Sequence, residues 1–338
     1  MATIGNTVAT LNDWAKRLDP DGKIAKIVEM LSQKNAILDN MLFKEGNLPT
    51  GEQATIRTGL PDVYYRLINA GVPKSKSTTA QITEQAAMLE ARSEVDVELI
   101  KLNSNNETFR LSESLAFIQA MNQRIALTMF YGSAANTEEF VGFANRYNDL
   151  SAVNGENIID AGGSGSDNAS IWLIGWGADE VMGIFPKGST AGLDHRDLGE
   201  GDAFDGNNNR FRAMMDLYQW KAGLVVKDWR YAVRIANVDV SDLQGLTGTQ
   251  ATTAATAITK LMSRSIDHIP DMNNVNLSFY ANRTILSHLR VMAQSESNNT
   301  VTIEAGLNQF GKTIHTTNFL SIPVGLVDTL TNAEARVV

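Results

Sequence analysis

Apolar residues along this chain recur at two different spacings, and the switches between them mark out the elements. Ile24, Ile27, Val28 and Leu31 follow an i, i+3, i+4, i+7 pattern after the turn Asp19-Pro20-Asp21-Gly22. That predicts a short amphipathic helix with one narrow face in search of a partner, within an arm over residues 1–45. From Thr50 the period shortens to two, through residues 54–61 and 63–68, a hydroxyl-rich stretch at 74–79, and Gln81-Ile82-Thr83. Alternation bounded by Gly and Pro predicts a long hairpin with a polar tip. Ser93, with Asp96 three residues on, predicts the start of a short helix carrying Val95, Leu99 and Leu102 on one side. Ser112 is then the predicted cap of the longest helix, 112–131, with Glu113 in its first turn and Gly132 just past its end. Leu111, Leu115, Ile118, Ile125 and Met129 form its apolar stripe, interrupted by Asn122. On this reading Ile118 is buried, and Ile118→Asp prevents folding.

Downstream the pattern is mixed. A Gly/Asn/Asp-rich connection at 154–167 leads into the buried-strand candidate Ile171-Trp172-Leu173-Ile174-Gly175-Trp176, and a second polar loop is expected over 187–209. Residues 224–240 are strand-like. Two amphipathic helices are predicted around 252–269 and 282–294, separated by a strand at 276–280, and β structure returns at 300–305, 313–317 and 319–330. No internal repeat is visible, and the order of elements predicts an α+β fold rather than regular βαβ winding.

Composition narrows the chemistry. Across 338 residues there is no cysteine, which excludes disulfides, thiolate metal sites and cysteine nucleophiles. Lys and Arg number 29 against 38 Asp and Glu, a net charge of -9 on a chain only 20% charged, which argues against a nucleic-acid groove. Apolar runs such as Gly223-Leu224-Val225-Val226 are far shorter than the roughly 20 residues that span a bilayer. The N-terminal residues have neither a basic nor an apolar leader region, so cytoplasmic synthesis without a signal peptide is expected.

One motif is literal. Gly306-Leu307-Asn308-Gln309-Phe310-Gly311-Lys312-Thr313 matches the phosphate-binding pattern GxxxxGK[ST] residue for residue. Phosphate binding needs a helix opening directly after the loop, whereas Thr313-Ile314-His315-Thr316-Thr317 is β-branched and reads as a strand. A hairpin turn is expected instead. The acidic stretch Asp194, Asp197, Glu200, Asp202, Asp205 suggests a hard cation, but as a calcium loop it has Arg210 where Gly belongs and Asp216 where Glu belongs. It is expected to be a solvated loop. His195, His268, His288 and His315 fall in no ligand-spaced pair. Gly162-Gly163-Ser164-Gly165-Ser166 lacks the last glycine of either GxSxG or GxGxxG. Trp172, Trp176, Trp220 and Trp229 lie in apolar or strand-like surroundings, as core residues do. No catalytic, cofactor-binding or metal-ligating residue is therefore assigned.

A resemblance enters on other residues: Arg57-Thr58-Gly59-Leu60-Pro61, Lys76-Ser77-Thr78-Thr79, Met88-Leu89-Glu90-Ala91, Phe109-Arg110-Leu111-Ser112-Glu113, Gly183-Ile184-Phe185-Pro186-Lys187-Gly188-Ser189 and Asp228-Trp229-Arg230-Tyr231. In these the chain, from about residue 10 onward, resembles the major capsid proteins of a group of tailed bacteriophages, mostly short-tailed. The resemblance implies the α+β capsid fold first seen in phage Hong Kong 97. It implies an N-terminal arm over 1–45, an extended E-loop hairpin over 46–92, a peripheral domain over 93–150 with the spine helix at 112–131, and an axial domain over 151–338 whose last strands return to the peripheral domain. Relatives commonly carry Gly where Ser321 stands, a departure that an ordinary β backbone would tolerate. The implied role is structural rather than enzymatic: a subunit that forms hexamers and pentamers of an icosahedral shell around double-stranded DNA, without sequence-specific binding, cofactor or membrane. The implied partners are the chain itself with scaffolding, portal and decoration proteins, and the implied location is the virion, after assembly in the host bacterial cytoplasm. Its rivals are a nanocompartment shell protein of the same fold and a P-loop nucleotide hydrolase.

Overall fold

The computed structural model describes residues 33–101, 106–205, 207–241, 243, 249–293, 301–307 and 313–338. The predicted helix at 24–31 and Leu102 lie outside the described residues. In chain order the elements are α1 (Ile37–Asn40), β1 (Phe43–Glu45), β2 (Gly51–Gly59), β3 (Thr78–Asp96), α2 (Val97–Lys101), α3 (Asn106–Tyr131), α4 (Phe143–Arg146), β4 (Ile158–Asp160), β5 (Asn168–Trp176), β6 (Val181–Phe185), β7 (Leu193–Phe204), β8 (Arg210–Val226), β9 (Ala232–Asp239), α5 (Thr249–Asp267), β10 (Asn276–Ala281), α6 (Arg283–Ala293), β11 (Val301–Leu307), β12 (Thr313–Phe319) and β13 (Ile322–Leu326). The described residues fall into two compact units, one drawn from 33–34, 88–126 and 192–221 and the other from 35–87, 127–191 and 222–338.

The second unit is organised around β5, which is buried along its whole length. A strand covered on both faces must be apolar on both, and Ile171 to Trp176 supplies that run. β9 and β10 flank it antiparallel, β13 joins β10 in parallel, and β12 and β11 complete an antiparallel meander. Trp172 is the centre of an aromatic cluster, with the rings of Phe130, Phe143 and Tyr147 at 6.1, 5.7 and 5.9 Å. Such rings contribute both area and directional contacts, so they fix the core. Tyr280 accepts a hydrogen bond from Trp176 Nε1 at 2.8 Å, and burial pushes its phenol up to about 12. Helix α6 begins where Asn282 Oδ1 accepts the Ile285 N–H at 3.0 Å. It buries Ile285, Leu286, Leu289 and Met292.

The first unit contains the β7–β8 hairpin, α2 and most of α3. Where a polar loop over 187–209 was expected, Leu193–Phe204 pairs antiparallel with Arg210–Val226. Charges alternate along β7 in place of apolar residues, so the strand left no hydrophobic period to read. The short helix starts later than expected: β3 runs on to Asp96, whose carboxylate accepts the Glu98 N–H at 2.8 Å, so Asp96 caps α2 and Ser93 is a strand residue. The Val95, Leu99 and Ile100 side chains are buried with Met214 packed against them.

Helix α3 starts at Asn106, six residues before the expected cap, leaving Ser112 inside it. Its apolar stripe is buried only toward the C-terminal end: Met121, Ile125 and Met129 are at most 3% exposed, whereas Leu111 and Leu115 are more than half exposed and Ile118 is 38% exposed. The expectation that Ile118→Asp prevents folding is therefore corrected. A carboxylate at a site open to water keeps its hydration, so Ile118→Asp should fold at a cost of about 1 kcal/mol, while Ile125→Asp should cost about 3 kcal/mol or more. Thermal melts of the two variants followed by circular dichroism should separate them clearly.

Candidate assembly surface

The hairpin β2–β3 is anchored at its base and open at its tip. Gly51 opens β2 with φ +157°, and a Cβ built there would lie 2.0 Å from the Glu84 carbonyl oxygen, so only glycine lets the two strands close. One pair further on, Glu52 and Glu84 stand directly opposite each other. Two like charges in register would repel, yet each is met by a cation. The Arg146 guanidinium, at the end of α4, grips Glu84 in two-pronged fashion at 2.5 and 2.7 Å. Lys227 Nζ lies 3.4 Å from Glu52, which also accepts the Asn47 N–H at 2.8 Å. Both pairs are less than one-fifth exposed. Partial burial and bidentate geometry make the Arg146 pair a directional clamp rather than a loose surface contact.

Beyond Gly59 the pairing stops. Residues 63–68, expected as strand, have no ladder partner, and the segment between β2 and β3 is irregular apart from a turn where the Ala70 N–H reaches the Leu67 carbonyl at 3.1 Å. Pro61 and Pro73 restrict strand continuation there. Leu60, Val63, Tyr65, Leu67 and Ile68 are each at least 80% exposed. So many large apolar side chains on one projecting segment mark an interaction surface. The sequence pointed to this tip but missed the clamp. Its only trace there is a carboxylate on each limb, Glu52 and Glu84, which cannot be recognised as opposed without the register.

The chemical motifs resolve into structural roles. β11 and β12 are antiparallel, with Gly306 opposite Ile314 and Leu307 opposite Thr313. Residues 308–312, including Lys312, lie outside the described residues, and the described element that follows them, β12, is a strand and not the helix a phosphate loop calls for. The acidic stretch lies on β7 and its turn. Arg212 meets Glu200 at 3.1 Å and Asp202 at 3.0 Å, Arg196 meets Asp194 at 2.7 Å, and Asp205 accepts both backbone and side-chain N–H groups of Asn209. Those Asn209 bonds hold the Asp205 carboxyl below its ordinary range. Among the described residues no three His, Asp or Glu side chains converge as a metal site would require.

Among the described residues, which exclude the His315 side chain, His195 is the one histidine that joins a charged cluster. Its Nε2 lies 3.0 Å from Asp216 Oδ1, the same oxygen that accepts Arg110 at 2.8 Å, and its ring stacks on Tyr218 at 4.8 Å. These groups edge a cavity of about 460 Å³ whose other walls include Val97, Ile100, Leu111 and Met214. The Arg110–Asp216 ion pair, with His195 on the same carboxylate, ties α3 to the β7–β8 hairpin. His268 is exposed, and His288 is half-buried, its imidazole lowered by burial. Trp172 and Trp176 are buried, while Trp220 and Trp229 are half-buried.

No curated protein matches the sequence. A chain in the structure of bacteriophage Epsilon15 is 30% identical, superposes with a TM-score of 0.75, and is matched over 100% of this chain and 99% of its own length. The bacteriophage JBD30 capsid gives a TM-score of 0.47 at 7% identity, covering 89% of this chain and 92% of that one, a likeness too distant to add weight. The family described as Major capsid protein GP7 matches residues 19–338. With nearly the whole chain accounted for in this way, it belongs to the major capsid protein GP7 family, and its fold is the Hong Kong 97-type α+β fold.

Proposed function

We propose that copies of this chain assemble into the icosahedral shell around phage double-stranded DNA, each laying its β2–β3 hairpin over a neighbouring subunit. The carrying observation is the contrast within that hairpin: a base held by the Arg146–Glu84 and Lys227–Glu52 pairs, and a tip whose apolar side chains find no cover among the described residues. Burying such groups across an interface is the favourable term in most protein association. On this reading residues 93–150 with the spine helix form the peripheral domain, residues 151–338 the axial domain with its last strands returning to the peripheral one, and hexamers and pentamers of the subunit form the lattice. Scaffolding, portal and decoration proteins complete the particle in the host cytoplasm. The acidic balance, net -9, suits a wall that encloses DNA without gripping it. Electron microscopy of the purified protein should show closed shells, and particles isolated from infected cells should contain double-stranded DNA. Shells carrying only protein cargo would instead assign a nanocompartment, and a protein that stays monomeric at all concentrations would refute the reading.

A further inference from the structure

β12 and β13 are joined by two residues, Leu320 and Ser321, with φ of +47° and +67°. Phe319 and Ile322 close the turn as a register pair. Positive φ at both central positions is the geometry that suits the twist of a tight hairpin, and Asn and Gly adopt it most readily. For leucine it crowds Cβ against the backbone, with no side-chain polar atom to compensate. The other non-glycine residues with positive φ among those described, Asn69, Asn208 and Asn237, are all asparagine. The expectation that residues 319–330 run as ordinary β backbone through Ser321 is thus overturned. No burial among the described residues offsets the strain at Leu320, which is 49% exposed while adjacent Phe319 is 1% exposed.

We infer that Leu320 is an assembly contact, its side chain buried against a second copy of this chain when the shell forms; this rests on the shell reading above. An exposed leucine in a strained turn is unfavourable twice over in the free subunit, once through the backbone and once through apolar exposure. Asparagine would remove both penalties. The leucine is also presented rigidly. Phe319 packs edge-on against Phe279 with centroids 5.7 Å apart, and Pro323 lies in register with Asn318. An apolar knob held by a fixed backbone loses little freedom on docking, which is the character of an interface anchor. A second copy is the fitting occupant because a subunit of this family meets chiefly its own kind in a shell built from many copies.

Three proteins test this: the unaltered chain, Leu320→Asn and Ser321→Gly. Both substitutions relax the turn, so both should raise the thermal midpoint of the unassembled subunit by about 1–3 °C. Only Leu320→Asn should weaken assembly, raising the subunit concentration needed for shells by about tenfold in sedimentation and electron microscopy. Leu320→Asn protein that assembles like the unaltered chain would overturn the inference. A lowered midpoint for Leu320→Asn would do the same, since the leucine would then serve its own subunit's packing. Loss of assembly in Ser321→Gly would shift the cause from the side chain to the turn and overturn it as well. If the unaltered chain forms no shells, the shell reading fails first, and this contact falls with it.

Discussion

Glu334→Ala should lower the thermal midpoint of the subunit by about 10 °C, the loss expected when one partner of a buried ion pair is removed at about 3–5 kcal/mol. Glu334 and Arg234 are each about 5% exposed or less, and the guanidinium Nη2 lies 2.7 Å from the carboxylate. The same carboxylate accepts the Ser170 hydroxyl and, at 2.5 Å, the Tyr131 hydroxyl. Arg234 also donates to the Tyr147 carbonyl at 2.7 Å and lies over the Trp172 ring at 5.2 Å. One substitution therefore strands a buried cation, a phenol and a serine hydroxyl together. It also loosens the chain's last residues, where the Glu334 N–H reaches the Asn168 carbonyl and the Val337 N–H reaches Asn237 Oδ1. Groups that share partners do not add independently. The double variant Glu334→Ala/Arg234→Ala should thus cost less than the sum of its singles, and a fully additive cycle would contradict a single shared network.

The same network gives an alkaline limit. Burial first, and the Glu334 charge second, raise the Tyr131 phenol well above its ordinary value, and burial also raises Tyr147 and brings Tyr280 to about 12. A phenol whose folded value is raised contributes stability that is fully present below its unfolded value of about 10. That contribution is lost as pH climbs toward the folded value, by up to about 1.4 kcal/mol per pH unit per phenol. Melting midpoints should be insensitive to these tyrosines from neutrality to about pH 10 and fall steeply above it. A flat profile to pH 12 would show that the phenols are not protected.

How much of this was legible follows from what each element needs. β5 and α6 were readable because a covered strand must be apolar throughout and a one-sided helix must repeat near 3.6 residues. Trp172, Ile285 and Leu289 meet those demands locally. β7 was invisible because its partner strand, not its own residues, makes it a strand, and its Glu200 and Asp202 pair with Arg212 across the ladder. The spine stripe misled because Leu111, Leu115 and Ile118 carry a helical period without being covered by the described residues. Periodicity reports which face is apolar, not what lies against it. The clamp and the Glu334 network were equally hidden, since partners such as Glu84 and Arg146, or Glu334 and Arg234, are far apart in sequence and polar residues leave no periodic trace. For the P-loop-like stretch, local reasoning sufficed: β-branched residues after Lys312 call for a strand, and β12 is one.

Replacing residues 58–80 by a short Gly-Ser linker should leave a folded, soluble subunit that no longer forms shells. The excised segment makes few bonds to the rest of the molecule. Ser75 donates to the Asp62 carbonyl at 2.7 Å and the Thr58 and Thr78 hydroxyls meet at 3.1 Å, all within the piece removed. Five ladder positions remain, from Gly51 opposite Gln85 to Thr55 opposite Gln81, and they include the Glu52 and Glu84 positions. The Arg146 and Lys227 pairs at the base survive, as does the whole aromatic core around Trp172. Removing Tyr65, Leu67 and Ile68 also takes away exposed apolar surface, so solubility should rise rather than fall. Assembly has the opposite dependence. A two-stranded ribbon is marginal in water without cover, and if its side chains are covered only by a neighbour, their loss removes the interface while sparing the subunit. Circular dichroism and thermal melting report the first half of this expectation, and sedimentation with electron microscopy reports the second. Normal closed shells from the shortened protein would show that the tip is not an assembly element. Failure to fold would show instead that residues 58–80 support the core, despite the exposure of nearly every side chain along them.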